Sequence, residues 1–394
     1  VLRNLSRGSN KGGDAKQDVA LNQPKALPLI DGDGYLYGSG VSGNYGEADS
    51  PILPSTGDFD LTIDFVWRDT GVGNQDLFGQ YEVSVAGRFF IYVRPDGALN
   101  TFWNGGSDHQ SGAAGSIIEG RRHVARFNRT GNTFAVYLDG VSYYSYTVGS
   151  TVPIAQVDST IGSAGTSRPT QHFKGAIFSV TEGSNVNIDF TATNVRHGDT
   201  KFKCGSGQVV TINQSGNDPA TVIKKSVLRF DGANDGLKGL FGQTISQGHM
   251  FAAFSVLGDG GEASGRIISV NKTGGSNDYT GGGMIFSYRS GSTNNLAAYK
   301  GSLSEHVGLF DSSNGDILSE AKAAEIATLI RVNNADKKTA GTFYTIEGDE
   351  FNIGQGALGH ENAAIDLEFL ALFDVSITDE QADSVRNYIN NRNN

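Results

Sequence analysis

The chain has 394 residues, 54 of them glycine, with 22 Phe, 14 Tyr and only 19% charged side chains. That mix favours many short strands joined by glycine turns over a helical bundle. A net charge of −11 without a basic stripe along the body argues against nucleic-acid binding, which needs clustered Lys and Arg.

The chain opens with a basic arm, residues 1–24, whose first part, "VLRNLSRGSNKGGDAKQ", sets Arg3, Arg7, Lys11 and Lys16 against Asp14 alone. It reads either as a solvated tail or as a segment that orders against an acidic neighbour. A first body, 25–186, begins with "LIDGDGYL" (29–36) and an alternating run, "DFDLTIDFVW" (58–67). A strand, a turn and another strand follow in "RFFIYVRPDGALNTFWNGG" (88–106), then a long hairpin in "HVARFNRTGNTFAVYLDG" (123–140). In "TFAVYLDG", Phe134, Val136 and Leu138 share one face and Ala135 and Tyr137 the other. Asp139-Gly140 is a favoured hairpin turn, because glycine accepts positive φ at little cost. "SYYSYT" (142–147) sets Tyr144 and Tyr146 on one face and Tyr143 on the other. "DSTIGSAG" (158–165) and a closing strand, "FKGAIFSV" (173–180), complete the body.

Residues 187–226 read as a connector, and a second body, 227–394, repeats the plan. "RFDGANDGL" (229–237), "GHMFAAFSVL" (248–257), "GMIFSYRSGSTNNLAAYKGS" (283–302), "EIATLIRVNNADKKTAGTFYTIEGD" (325–349), "EFNIGQGA" (350–357) and "IDLEFLALFDV" (365–375) follow in the same order. Matching elements lie roughly 190–210 residues apart, which points to an internal duplication. "LSEAKAAEIATLIR" (318–331) has helical propensity, although its place in the repeat predicts strand from Glu325 onward. The clear helix is terminal. Thr378 and Gln381 form a capping box, Ile377 can staple onto Ala382, and Ala382, Val385 and Ile389 make one apolar face. Cys204 is the single cysteine, so no intrachain disulfide supports the fold. Apolar runs such as "FLALF" are too short to cross a bilayer as helices, and a soluble protein with no membrane partner is expected.

Three groups of residues are candidates for chemistry. Aromatic faces and short polar groups bind sugars, which singles out Trp103, Asn104, Asp108 and His109 in "WNGGSDHQ", with Tyr144 and Tyr146. The tyrosines equally suit a filled sheet face or a subunit contact, and a homo-oligomer is open. Hard cations need several oxygens, which singles out Asp31, Asp33, Asp231 and Asp235 at the two domain starts, with Asp366 as a joining ligand. Plain Asp-Gly turns explain the same residues. In Ala364-Ile365-Asp366-Leu367-Glu368 two carboxylates sit on alternate positions, hence on one face of a regular strand. Glycoside hydrolysis needs such a pair flanking the bond. The seven histidines show no metal-ligand spacing, and the glycine loops lack the Lys-Ser/Thr of a phosphate cradle.

Taken in order, "DGDGYL", "FDGANDGL", "HVARFNRTGNTFAVYLDGV", "STIGSAG", "FNIGQGALG" and "IDLEFLALFDVSITDEQADSVRNYI" resemble the concanavalin A-like lectin/glucanase superfamily in its laminin-G-like form, twice over. The resemblance covers residues 28–183 and 226–392. It implies an all-β protein: two tandem antiparallel β-sandwich jelly rolls with a short C-terminal helix. It also implies that calcium near the domain starts would be structural and that no cofactor is required. His123 matches a position commonly His in that family, where its role is structural. Laminarin-type glucanases of the superfamily carry Glu, Asp and Glu on alternate positions of one strand. Laid on residues 364–368, that pattern puts Ala364 at the nucleophile position, which implies no enzyme.

"NIDF…GDTKF…GQVVTIN" and "LRNLSRGSNKGG" are similar to segments of bacteriophage virion proteins. That likeness implies a non-enzymatic virion surface protein, either capsid decoration or a tail or fibre component. Its arm would dock on other virion proteins and its sandwiches could hold host polysaccharide. The other readings are a bacterial secreted or cell-surface lectin and, third, a glycan hydrolase.

Overall fold

The computed structural model describes residues 25–392, apart from 28–29, 31–32, 72, 105–109, 150–151, 166–170, 217 and 225 in the first part. In the second part 259–264, 274–283, 290–294, 301–302, 310–316, 324–327, 333–337, 341–346, 357–360 and 374–376 are also outside it. The arm cations Arg3, Arg7, Lys11 and Lys16, together with Asp31, Asp108 and His109, lie outside the described residues.

In chain order the strands are β1 (Lys25–Leu27), β2 (Tyr35–Ser39), β3 (Tyr45–Ala48), β4 (Phe59–Trp67), β5 (Gln75–Gln80), β6 (Phe89–Val93), β7 (Leu99–Trp103) and β8 (Gln110–Ser111). Next come β9 (Arg122–Thr130), β10 (Thr133–Leu138), β11 (Val141–Thr147), β12 (Thr160–Ile161), β13 (Lys174–Glu182) and β14 (Val186–Asp189). They are followed by β15 (Lys201–Lys203), β16 (Val209–Asn213), β17 (Thr221–Ile223), β18 (Val227–Asp231), β19 (Leu237–Ile245) and β20 (Gly248–Val256). The remainder are β21 (Gly265–Asn271), β22 (Met284–Arg289), β23 (Asn295–Lys300), β24 (Leu303–Leu309), β25 (Ile317–Ala323), β26 (Thr328–Val332), β27 (Lys338–Ala340), β28 (Gly348–Ile353), β29 (Ala364–Phe373) and the helix α1 (Asp379–Arg392).

Two compact units result: Leu29–Lys224, and Lys225–Asn394 with the N-terminal segment to Pro28. Each is built from two antiparallel sheets. The Leu29–Lys224 unit packs a sheet of order β11-β10-β9-β4-β13-β2-β17 against one of order β15-β16-β3-β12-β5-β6-β7-β8. In the other unit β27-β26-β25-β20-β29-β18-β1 matches the first of these strand for strand, and β19-β28-β21-β22-β23-β24 matches β3-β12-β5-β6-β7-β8. The duplication expected from the sequence is therefore present.

Alternation builds the cores. On β4, Phe59, Leu61, Ile63, Phe65 and Trp67 are buried in the core, while Asp60, Thr62 and Asp64 between them are half-buried on the outer face. A fully buried Phe or Leu contributes about 1.5–3 kcal/mol relative to exposure, and no disulfide adds to this. The β10–β11 turn uses Asp139 at φ 52° and Gly140 at φ 80°, as the hairpin signal predicts.

Two boundaries differ from the sequence reading. Residues 187–226 are not a free connector: β14 pairs with β13, β15 and β16 extend the sheet beyond β3, and β17 pairs with β2. Phe190, Phe202, Val210, Ile212 and Val222, spaced among polar residues, are buried in the same core as β4. Lys224 fastens the end of the segment, its Nζ donating to the carbonyls of Phe190, Thr191 and Ala192 at 3.3, 2.7 and 3.0 Å. Residues 25–27 do not begin the first sandwich either, since β1 pairs with β18. The counterpart of the β9–β10 hairpin also starts earlier than expected, at Ile317. The helix-prone "LSEAKA" lies on strand β25, where pairing to β20 overrides local propensity.

The helix signals hold. Gln381 N–H donates to Thr378 Oγ1 at 3.2 Å, and Thr378 N–H donates to Gln381 Oε1 at 2.9 Å. Ile377, Ala382 and Ile389 are buried against Phe251 and Ala253 of β20.

The closing strand β29 is tied to β18 by charge as well as by pairing. Arg229 and Asp366 are cross-strand partners, and Nε and Nη2 of the arginine donate to the two carboxylate oxygens, each at 2.8 Å. Both side chains are about 1% exposed, so removing one partner leaves an uncompensated buried charge. Asp366→Ala is predicted to lower the stability of its unit by about 3–5 kcal/mol in denaturant unfolding. Glu368→Gln on the same strand is predicted to cost less than about 1 kcal/mol.

Candidate functional site

The sheet containing β5, β6 and β7 carries aromatic side chains on both faces. Phe89, Ile91 and Val93 point into the core, and so do Leu99 and Trp103 of β7. The alternate residues Phe90 and Tyr92 of β6 and Phe102 of β7 form a separate cluster with Tyr81 and Ala164 on the opposite face. Phe90 stacks on Phe102 with centroids 4.8 Å apart and ring planes 26° apart, and Tyr81 meets Phe90 edge-on at 5.5 Å. The Arg88 guanidinium lies 5.5 Å above the Tyr81 ring. Beneath, Asn100 donates through Nδ2 to the Tyr92 hydroxyl at 3.1 Å and accepts from Ser111 at 2.9 Å.

Phe90 and Tyr92 are buried, whereas Tyr81, Phe102, Arg88 and Asn104 are half-buried and form the accessible edge. Gly79, opposite Phe90, permits this arrangement: a Cβ there would lie 1.9 Å from the Ala164 carbonyl oxygen that closes over it. Apart from Asn104, sequence reasoning passed over these residues. The signal was the run "FFIYV" (89–93), aromatic or aliphatic throughout where a strand with one solvated face would alternate.

Of the expected sugar ligands, Trp103 is core rather than platform. It is 0% exposed, packs on Phe59, Phe89 and Phe134, and donates through Nε1 to the Pro153 carbonyl at 2.9 Å. Asn104, the next residue, stays beside the outer cluster, its N–H donating to the Arg88 carbonyl at 2.9 Å.

Tyr144 and Tyr146 stack with planes 13° apart and close the edge of the sandwich, both hydroxyls reaching Thr101 Oγ1, at 3.1 and 3.4 Å. Tyr143 does not face away from them as expected. A β-bulge between Val136 and Tyr137 leaves Tyr143 without a partner on β10, and its hydroxyl donates to the Ala113 carbonyl at 2.8 Å. His123, buried, links Asp139 Oδ2 at Nδ1 (2.9 Å) with the Ile118 N–H at Nε2 (3.0 Å), a latch at the hairpin.

The acidic candidates do not converge. Asp33 accepts from Arg122 Nη1 at 2.7 Å, and the same guanidinium chelates Asp64 and lies 3.8 Å over the Phe178 ring. Asp231 accepts from the N–H of Ala233 at 2.8 Å, and Asp235 accepts from the N–H of Asp231 at 3.0 Å, which makes them turn residues. Asp366 is committed to Arg229. Among the described residues no group of three or more His, Cys, Asp or Glu side chains is placed to hold a metal ion.

Nor do Asp366 and Glu368 form a regular pair. The β20–β29 register passes from Ala253↔Phe369 to Phe254↔Leu367, so Glu368 is the extra residue of a bulge. The phase of the strand inverts there, and Leu367 and Leu370, three apart, both pack on the core side.

No family model and no curated protein sequence matches the chain. Among solved structures, domains LG4-5 of the mouse laminin alpha1 chain are similar at 11% identity over 94% of each chain, with a TM-score of 0.34. A SAP-like pentraxin from Limulus polyphemus is similar at 15% identity over 39% of this chain and 77% of that one, with a TM-score of 0.31. The Ruminococcus gnavus IT-sialidase CBM40 bound to alpha2,3 sialyllactose is similar at 8% identity over 38% and 90%, with a TM-score of 0.30.

Burial raises the Tyr144 phenol and pushes Tyr146 up to about 12, against the lowering effect of the Thr101 hydroxyl on both. A raised folded-state pKa means the stabilisation is complete below the unfolded value, near 10, and is lost as pH climbs through the folded value. Ultraviolet titration is predicted to show Tyr144 and Tyr146 still largely protonated at pH 11. Tyr144→Phe with Tyr146→Phe is predicted to shrink the late-titrating component by two phenols.

Proposed function

We propose that the protein is a non-catalytic, surface-displayed glycan-binding protein. Its saccharide lies on the Tyr81–Phe102 face of the Leu29–Lys224 unit. The observation that carries this reading is an aromatic cluster outside the core, half-exposed at Tyr81 and Phe102 and rimmed by Arg88 and Asn104. Sugar rings lay their C–H faces on aromatic rings, while hydroxyls accept from guanidinium and amide groups. The non-catalytic part is supported by the fate of Asp366 and Glu368: one is neutralised by Arg229 and the other is displaced by a bulge. Neither is then available as the acid or the nucleophile of a glycosidase.

The setting we propose is the virion surface, as capsid decoration or as part of a tail or fibre. The four cations of the arm against two carboxylates suit docking to an acidic neighbour in the particle. A secreted or cell-surface lectin would use the same face without a particle. Calcium has no part in this reading, because Asp33, Asp231, Asp235 and Asp366 are each engaged by arginine or backbone N–H groups.

The test is binding of full-length protein to a panel of bacterial surface polysaccharides that includes the host's own. Saturable binding is expected, weakened about tenfold by Tyr81→Ala or Phe102→Ala and unchanged by Tyr144→Phe or by chelator. No binding across the panel would overturn the glycan reading, and loss with chelator would restore a metal to it.

A further inference from the structure

Each sandwich closes one sheet with a strand from the other's leader. β17 immediately precedes the second sandwich, yet it pairs with β2 of the first, Thr221↔Tyr37 to Ile223↔Tyr35. β1 immediately precedes the first sandwich, yet it pairs with β18 of the second, Lys25↔Arg229 to Leu27↔Val227. Both are three-residue antiparallel strands at the same place in matching sheet orders, so the exchange is reciprocal.

The likeness of the leaders runs further upstream. Before β17 the chain reads Gln208-Val209-Val210-Thr211-Ile212-Asn213-Gln214, and before β1 it reads Gln17-Asp18-Val19-Ala20-Leu21-Asn22-Gln23. Each has Gln, Val at the third place, an aliphatic residue at the fifth, then Asn-Gln, with a proline before the exchanged strand. The structure shows what the first of these does: as β16 it lines the edge of β3, with Thr211↔Glu47 and Ile212↔Gly46. The counterpart of β3 is β19, because Ile161 of β12 faces Gly46 as Ile353 of β28 faces Leu237. Among the described residues β19 has no neighbour on that edge, and Leu240 there is 50% exposed.

We propose that residues 17–27 do for the second sandwich what 208–223 do for the first. The edge of β19 is then the acceptor for residues 18–22, as the edge of β18 is for 25–27. A long open edge is an aggregation hazard that proteins cover. Transferring the register of β16 places Ala20 opposite Lys238 and Leu21 opposite Leu237. The three Cα steps from Asn22 to Lys25 reach about 10 Å, the usual spacing of packed sheets. Arg3, Arg7, Lys11 and Lys16 all lie upstream of this segment.

Cross-linking in the full-length chain tests the register. Directly opposed antiparallel residues lie about 4.5–5.5 Å apart, within disulfide reach. With Ala20→Cys and Lys238→Cys together, oxidation is expected to join positions 20 and 238 within one chain. The yield should be at least tenfold that of Ala20→Cys with Glu47→Cys, whose edge is already held by β16. A bond to position 47, a bond between two chains, or no bond at 238 would overturn the proposal. As a second readout, deleting residues 17–22 should speed amide exchange in β19 at least tenfold and leave β3 unchanged. Equal exchange in β19 with and without the deletion counts against it. Neither readout involves polysaccharide, so the glycan reading can fail without affecting this one.

Discussion

Both sandwiches depend on a strand that arrives late in the chain and lies in the interior of its sheet. β13 sits between β4 and β2, and β29 between β20 and β18. Neither sheet is continuous until that strand returns over more than a hundred residues, and no disulfide holds the ends meanwhile. Burial supplies most of the closure, since Ile177 and Val180 on one strand and Ile365 and Leu367 on the other enter the cores. In the second sandwich the Arg229–Asp366 pair adds a geometric demand. Two buried charges are tolerated only when both hydrogen bonds form, so the pair selects one register as much as it stabilises it.

The same framework carries two different outer faces on its matching sheets. On the Leu29–Lys224 unit, β4 and β9 present Asp60 paired with Arg126 and Asp64 paired with Arg122, a solvated cross-strand ladder. On the second unit the equivalent strand β20 presents Phe251 and Ala253 under α1. Duplicated sandwiches therefore need not share a function. The aromatic cluster on the opposite sheet of the first unit is a feature of that unit's own strands β6 and β7.

What could be read in the sequence was whatever local chemistry decides. The period of two in β4 and β10, the Asp139-Gly140 turn and the Thr378–Gln381 capping box each depend on near neighbours, and each is present. The faces of single side chains were harder to read, because one bulge reverses everything after it. Tyr143 and Glu368 are such residues, and nothing local announces them. Trp103 was misjudged for another reason: β7 carries an aromatic on each face, Phe102 and Trp103, so the partner sheet decides which of them is core. The segment 187–226 looked like a connector because its apolar residues are sparse, yet most of them join the existing core. The carboxylates were legible as residues but not as ligands, since arginine partners more than eighty residues away had already engaged Asp33 and Asp366.

The central claim is that the protein holds a glycan on the outer aromatic face and leaves it intact. Amide exchange of the full-length protein with and without saturating polysaccharide, with polymer length followed in the same samples, tests it directly. The account predicts protection centred on residues 81–104 and an unchanged polymer. Protection centred on β29, with the polymer shortening over time, would contradict it.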